Sequence, residues 1–229
     1  MSNKFVVARL TKDGEHFEIL VKPDLALDYK MGKRISVADA LVSETVFTDV
    51  SKGKKPAEDK ILKVFGTTDI KKISETILSK GVLQLTTEQR RRLLEDKKKR
   101  IIFYITRNCI DPKTGLPHPP LRIEQALSQI RYSIDLNKSV EEQAKEIIDL
   151  LRPILPIKVE NVVLEIKVSP KYASKLYGTV KSMGTIKSEE WRADGSWFAV
   201  VEVSAGSYGS LLEKIGALTH GEVETRILK

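Results

Sequence analysis

The sequence predicts an α+β protein of three domains: an N-terminal mixed α/β domain (residues 1–85), a central three-helix bundle (86–160) and a C-terminal ferredoxin-like βαββαβ domain (161–229). Three observations predict it. Strand-like and helical runs mix in the first stretch, whereas the middle is almost wholly helical, with apolar residues at three- and four-residue spacing. Pro153 and Pro156 close the last of the middle helices, because proline lacks the donor that a helix interior needs. The remaining residues run strand, helix, strand, strand, helix, strand, the order of the split βαβ unit.

The first domain opens with "KFVVARLTKDGEHFEILV", two strands around Lys12-Asp13-Gly14-Glu15, where Asp-Gly suits a two-residue hairpin turn. Ser36 caps a short helix within "ISVADALVSETVF", which runs into a strand, "TVFTDV". After the lysine-rich loop "SKGKKP", the segments "EDKILKVFG" and "TDIKKISETILSKG" read as helices. The second places Ile70, Ile73, Ile77 and Leu78 on one face, with Gly81 at the C′ position, and "VLQL" closes the domain as a strand.

In the middle domain Thr86 and Gln89 form a capping box that opens the long helix "EQRRRLLEDKKKRIIFYITRNC". "IDPKTGLPHPP" has four prolines and a glycine in eleven residues, so it is a loop. A second helix, "LRIEQALSQIRYSI", carries Ile123, Ala126, Leu127, Ile130 and Ile134 on one stripe. The third is capped by Ser139 with Glu142 returning the bond, and buries Val140, Ala144, Ile147, Ile148 and Leu151. The last domain follows as "NVVLEIKV", "SPKYASKLYGTVKSM", "GTIKSEEW", a turn at Arg192–Gly195, "SWFAVVEVS", "GSYGSLLEKIGALTHG" and "EVETRILK". Tyr172, Tyr177, Trp191, Trp197 and Tyr208 concentrate aromatic content there, and the sequence does not separate core rings from contact rings.

With 41% hydrophobic and 31% charged residues, the 229-residue chain is folded and highly soluble. Its one cysteine, Cys109, excludes an internal disulfide and any cysteine-only zinc site, and reads as a small buried residue. No apolar run approaches the ~20 residues of a membrane helix, and "MSNKFVVARL" lacks a signal-peptide core, so a cytoplasmic protein is expected. The net charge of +8 and pI near 9.4 favour a polyanionic partner. Basic residues outnumber acidic ones 15 to 12 in the first domain, 15 to 11 in the second and only 9 to 8 in the third. The basic surplus therefore belongs to the first two domains.

No catalytic set emerges. His16, His118 and His220 lie in three separate segments without a second ligand at metal spacing, and phosphate-loop, dinucleotide and nucleophile-elbow motifs are absent. A non-enzymatic protein without metal or cofactor is expected. Binding candidates are more numerous: Lys33 and Arg34 in "MGKR", a weak echo of a phosphate loop, and Lys52, Lys54 and Lys55 in the loop before a helix start. "RRR" (90–92) and "KKKR" (97–100) wrap around one helix instead of forming a stripe. Arg131, Ser133 and Lys138, with Asn137, suit a phosphate patch. Aromatic residues read as few and apart from the basic runs, which favours recognition of folded RNA by shape and phosphate over stacking on single strands.

"VFTDVSKGKKPAEDKILKVFGTTD", "ILSKGVLQLTTEQR" and "NCIDPKTGLPHPPLRIEQALSQIRYSIDLNKSVEEQAKEII" together resemble the SBDS (Shwachman-Bodian-Diamond syndrome protein) family over nearly the whole chain. The compact N-terminus and the end at the last strand resemble its archaeal branch. The resemblance implies a non-catalytic, monomeric ribosome maturation factor. Such a factor binds the large ribosomal subunit and its rRNA near the P site, and promotes release of the anti-association initiation factor six with a translocase-like GTPase, so that subunits join. It also implies that Lys52 lies in a loop facing rRNA, and that Ser133 and Lys138 belong to a basic surface of the middle domain with Arg131 beside them. Linkers near Leu85–Thr86 and Pro153–Pro156 would let the domains rotate. The chain departs from the family pattern in its more basic Gly53-Lys54-Lys55-Pro56 and in Asn108, where relatives can carry a basic residue. Two other readings stay open, a general RNA-binding protein in RNA processing and an RNA-modifying enzyme.

Overall fold

In the computed structural model, which describes residues 5–228, Asp13 and Gly14 both take positive φ (53° and 78°). This is the turn that lets two twisted strands pair directly. It joins β1 (Val6–Lys12) to β2 (Glu15–Val21) in a register from Val6↔Val21 to Lys12↔Glu15. Lys4 and Lys229, at the outer ends of the first and last expected strands, lie outside the described residues. Four helices follow, α1 (Pro23–Lys30), α2 (Val37–Ala40), α3 (Glu58–Phe65) and α4 (Ile70–Lys80), before β3 (Val82–Leu83) pairs with the free edge of β1. Phe17, Ile19 and Val21 meet Ile73, Ile77 and Leu78 of α4 in one buried cluster.

Several local expectations are corrected. Helix α1 was not expected, although "KPDLALD" carries its signals: proline in the first turn, where a missing N–H costs nothing, and Asp24 at the positive helix end. The "TVFTDV" segment is not a strand; its pairing is limited to a reciprocal Glu18–Phe47 backbone contact (2.7 and 2.8 Å) and a bridge between Asp49 and Lys54. Gly81 is extended (φ −81°), not left-handed. It is glycine because a Cβ there would fall on the carbonyl oxygens of Arg9 and Ile77.

The chain divides into two compact units, Met1–Leu93 and Leu94–Lys229. Helix α5 (Thr87–Asn108) opens with the expected reciprocal bonds, Thr86 N to Gln89 Oε1 (3.2 Å) and Gln89 N to Thr86 Oγ1 (3.1 Å). The next helix, α6, is shorter than expected, Pro120–Leu127. Beyond it the chain is non-helical and is held by the buried Gln143 amide, whose Oε1 accepts from Asp135 N (2.8 Å) and whose Nε2 donates to Asp135 O (2.9 Å). Ile130 and Ile134 still pack on the core, from non-helical backbone. Ser139 caps α7 (Val140–Leu151) by accepting from Glu142 N at 3.0 Å. The expected return bond from Glu142 is not seen among the described residues; its carboxylate lies 3.9 Å from Lys138 Nζ.

Cys109 begins β4 (Cys109–Ile110), which pairs with β5 (Lys158–Val159), and it is fully buried in the middle core. Burial pushes its thiol up to about 11. A thiol-reactive dye at pH 8 should therefore label the native protein on the order of a hundredfold more slowly than the urea-unfolded chain. Equal rates would refute this burial.

The last residues form β6 (Asn161–Val168), α8 (Pro170–Met183), β7 (Thr185–Trp191), β8 (Trp197–Ser204), α9 (Ala205–Thr219) and β9 (Val223–Ile227). The antiparallel order β7-β8-β6-β9 is the ferredoxin-like arrangement. Alternation sends Leu164, Ile166 and Val168, with Trp197, Ala199, Val201 and Val203, into a core shared with Leu176 and Leu211 of the two helices. Trp197 is fully buried, whereas Trp191, beside the hairpin turn, is half exposed. A register shift between Ile186 and Ser188 interrupts the β7–β8 ladder.

Candidate nucleic-acid interface

The lysine loop is a tight turn on a buried root. Lys54 N donates to Asp49 O (3.0 Å), Thr48 N to Lys54 O (2.8 Å) and Gly53 N to Val50 O (3.1 Å). Gly53 sits at φ 63°, where a side chain would be strained. Asp49 organises the tip: one oxygen accepts from the Ser51 hydroxyl (2.6 Å) and Lys52 N (3.2 Å), and the other lies 3.5 Å from Lys52 Nζ. The Ser51 bond foremost holds the Asp49 carboxyl below the usual carboxylate range. The root is Glu18, only 4% exposed, whose Oε2 accepts from Val50 N at 2.7 Å while Oε1 holds Arg9.

Lys52, Lys54 and Lys55 all project into solvent, the Lys52 side chain 78% exposed. Lys54 and Lys55 make no ion pair among the described residues. The N-terminus of α3 adds little for an anion, because Glu58 and Asp59 already occupy its first turn. Lys33 and Arg34 sit on a different loop of the same unit, between α1 and α2. Lys33 is paired with Asp28 at 2.8 Å, and Arg34 is exposed.

The other candidates lie on the α6–α7 connection. From residue 131 to 138 exposure alternates, so Arg131, Ser133, Asp135 and Asn137 face out while Tyr132, Ile134, Leu136 and Lys138 are half-buried. Arg131 and Ser133 therefore share a face, and Lys138 does not join them. Its ammonium contacts Glu146 at 2.7 Å, a bond that raises its pKa. The same bond, followed by one from Tyr132 (2.6 Å), lowers that of Glu146. Lys97, from the "KKKR" run, donates to the carbonyls of Leu136 (2.7 Å) and Lys138, and Lys98 pairs with Glu124 at 2.8 Å. Half of that run thus holds structure together.

One face of α5 differs from its sequence-based description. Arg100, Phe103, Tyr104 and Arg107 stand at i, i+3, i+4 and i+7, so two aromatic rings lie between arginines along a single stripe. Phe103 is 59% exposed and the Arg107 guanidinium lies 5.5 Å from its ring centre. Grouping basic residues by adjacency hides this stripe, and counting in helical steps reveals it.

Among the described residues no group of three or more His, Cys, Asp or Glu is placed to hold a metal, and no helix is long and apolar enough to cross a membrane. His118 is buried with Nε2 2.8 Å from Pro156 O, and Asn108 turns its amide onto Tyr104 O (2.7 Å).

Comparison with known proteins finds three consecutive family matches: the Shwachman-Bodian-Diamond syndrome (SBDS) N-terminal domain at residues 4–91, SBDS protein domain II at 99–160 and the SBDS protein C-terminal domain at 162–229. Among similar curated proteins is the "Ribosome maturation protein SDO1 homolog" of Methanothermobacter thermautotrophicus, 44% identical over 98% of this chain and 97% of that protein. The protein of the same name from Aeropyrum pernix is 41% identical over the same shares. "Ribosome maturation protein SBDS" of Xenopus laevis is 30% identical over 97% of this chain and 88% of its own.

Proposed function

We propose, from the premise that this chain belongs to the SBDS family, that it is a ribosome maturation factor that binds the large ribosomal subunit through rRNA. It acts without catalysis of its own, as a monomer in the cytoplasm. It promotes release of the anti-association initiation factor six, together with a translocase-like GTPase, so that subunits can join. The observation that carries the RNA contact is the lysine turn. Three exposed lysines project from a loop rooted on buried Glu18, and two of them make no ion pair among the described residues. Arg131 and Ser133, facing out together, supply a second contact from the middle domain, and Lys33, Arg34 and Lys138 add further contacts. The three domains divide as 1–85, 86–160 and 161–229, and the last, with its balanced charge, faces protein.

Repositioning of the last domain about Pro153–Pro156 has a cost that the geometry identifies. Ser204 Oγ donates to Arg107 O (2.7 Å) and Arg107 Nε donates to Ser207 Oγ (3.2 Å), so these bonds between α5 and the start of α9 must break first.

Co-sedimentation with purified large subunits tests the proposal. Changing Lys52, Lys54 and Lys55 together to Glu should reduce binding at least tenfold and flatten the plot of log affinity against log salt, by roughly 0.7–0.9 for each phosphate that the loop ceases to neutralise. Unchanged binding across the salt series would remove the loop from the interface. Binding to small free RNAs but not to subunits would instead assign the chain to general RNA processing.

A further inference from the structure

Beside the arginine–aromatic stripe of α5 lies a cleft of about 400 Å³. Arg100, Phe103, Tyr104 and Arg107 line one side, and Glu141, Met183, Ser204 and Ser207 contribute from α7, α8 and the β8–α9 junction. A volume in this range suits a small ligand or one unit of a polymer. We infer that this cleft holds one unstacked nucleotide of single-stranded RNA, with its base against Phe103 and its flanking phosphates on Arg100 and Arg107. The inference deepens the rRNA reading given above by naming a second contact, of a different kind from the lysine turn.

The residues separate this ligand from the alternatives. Arg100 and Arg107 are roughly 10 Å apart along the helix axis and bracket the two rings. Neither arginine makes an ion pair among the described residues, so both charges remain to be neutralised. Arg107 is held in place without being neutralised, because its Nε donates to the buried Ser207 hydroxyl at 3.2 Å. Phe103, more than half exposed, presents aromatic surface that no structural role uses. Stacking on such a ring is open to any base, and an arginine over the same ring adds to it. An acidic peptide would satisfy the arginines but leave the ring unused and set a carboxylate beside Glu141. A nucleotide uses ring and cations together, and its ribose hydroxyl can donate to Glu141. Duplex RNA keeps its bases stacked and has none to insert.

The test uses the full chain and a fluorescein-labelled oligouridine of about ten nucleotides, within the length that one such surface covers. Anisotropy should show binding to the single strand, with a duplex of equal length and an oligoglutamate both much weaker. Phe103→Ala should weaken oligonucleotide binding by roughly tenfold and Phe103→Tyr should restore it, since only the latter keeps a stacking ring. Arg100→Gln should weaken binding and lower the salt slope by about 0.7. Oligonucleotide carrying 5-iodouridine should cross-link to the peptide containing Phe103. Wild-type affinity in Phe103→Ala, competition by oligoglutamate at RNA-like concentrations, or no binding of the single strand would each overturn the inference. If wild-type protein fails to bind large subunits yet shows the Phe103-dependent affinity, only the maturation reading falls. Subunit binding that ignores Phe103, alongside an oligonucleotide affinity that ignores it too, sinks only this cleft.

Discussion

Trp197→Ala should lower the stability of the C-terminal domain by about 3–5 kcal/mol, the range for truncating a large buried aromatic residue. The ring is fully buried and sits 5.5 Å from Tyr177 at a 66° interplanar angle, with Trp191 5.9 Å away. Edge-on pairs of this kind contribute beyond the area they cover. Its indole N–H donates to Glu189 Oε2 at 3.0 Å, so truncation also removes a partner from a carboxylate on the neighbouring strand. Its neighbours come from α8 (Tyr177), β7 (Trp191) and β6 (Val168), so the void has little freedom to collapse. With a urea dependence of about 2 kcal/mol per molar, the unfolding midpoint should fall by roughly 1.5–2.5 M. Trp197→Phe should recover most of this, because it refills the core and forfeits chiefly the indole bond. A midpoint for the alanine variant within about 0.5 M of wild type would show that the ring is not a keystone of this packing.

Glu18→Ala should destabilise the N-terminal domain by about 3 kcal/mol and loosen the lysine turn as it does so. Losing the carboxylate leaves the Val50 N–H without its acceptor, which alone costs about 1–3 kcal/mol. It also strips Arg9 of its partner, but that side chain is 52% exposed, so the total stays near the low end for a broken buried pair, about 3 kcal/mol. Glu18→Gln keeps an oxygen for Val50 and should cost about 1 kcal/mol. Amide exchange at Val50 separates the two variants: fast in Ala, still protected in Gln. Subunit binding should follow the same order, because Lys52 is only two residues from that amide. Protection at Val50 retained in the alanine variant would mean that Glu18 does not anchor the turn.

Much of this architecture is legible without coordinates where the deciding interactions are local. The Asp13-Gly14 hairpin, the Thr86–Gln89 box and the Ser139 cap each depend on residues within a few positions, and each forms. The strand order of the last domain follows from alternation plus the rule that such a unit pairs its strands in one way. What escapes is set by distant partners. Nothing in "LRIEQALSQIRYSI" announces that the helix stops at Leu127, or that Gln143, beyond the segment, will hold the backbone of Asp135 that follows it. Glu18 looks like an outward strand acid until the loop carrying Val50 folds onto it. The lysine loop was visible as charge next to glycine, but not the pairing of Lys138 with Glu146, which brings a loop residue against a helix two turns on. The α5 stripe was visible in principle, since its four residues keep helical spacing.

The interruption between Ile186 and Ser188 bears on what this protein does at high concentration. Strand β7 is an outer strand of its sheet, and an outer strand is a template onto which another chain can add. Here the ladder shifts register within the first few residues, so an incoming straight strand meets a kinked row of donors and acceptors. Lys187, Glu189 and Glu190 then place charge along that border. The opposite border, β9, alternates Glu224 and Arg226 in the same way. The sheet should therefore resist edge-to-edge growth and stay dispersed when crowded, even though its interior is rich in Val and Ile that would otherwise promote fibrils.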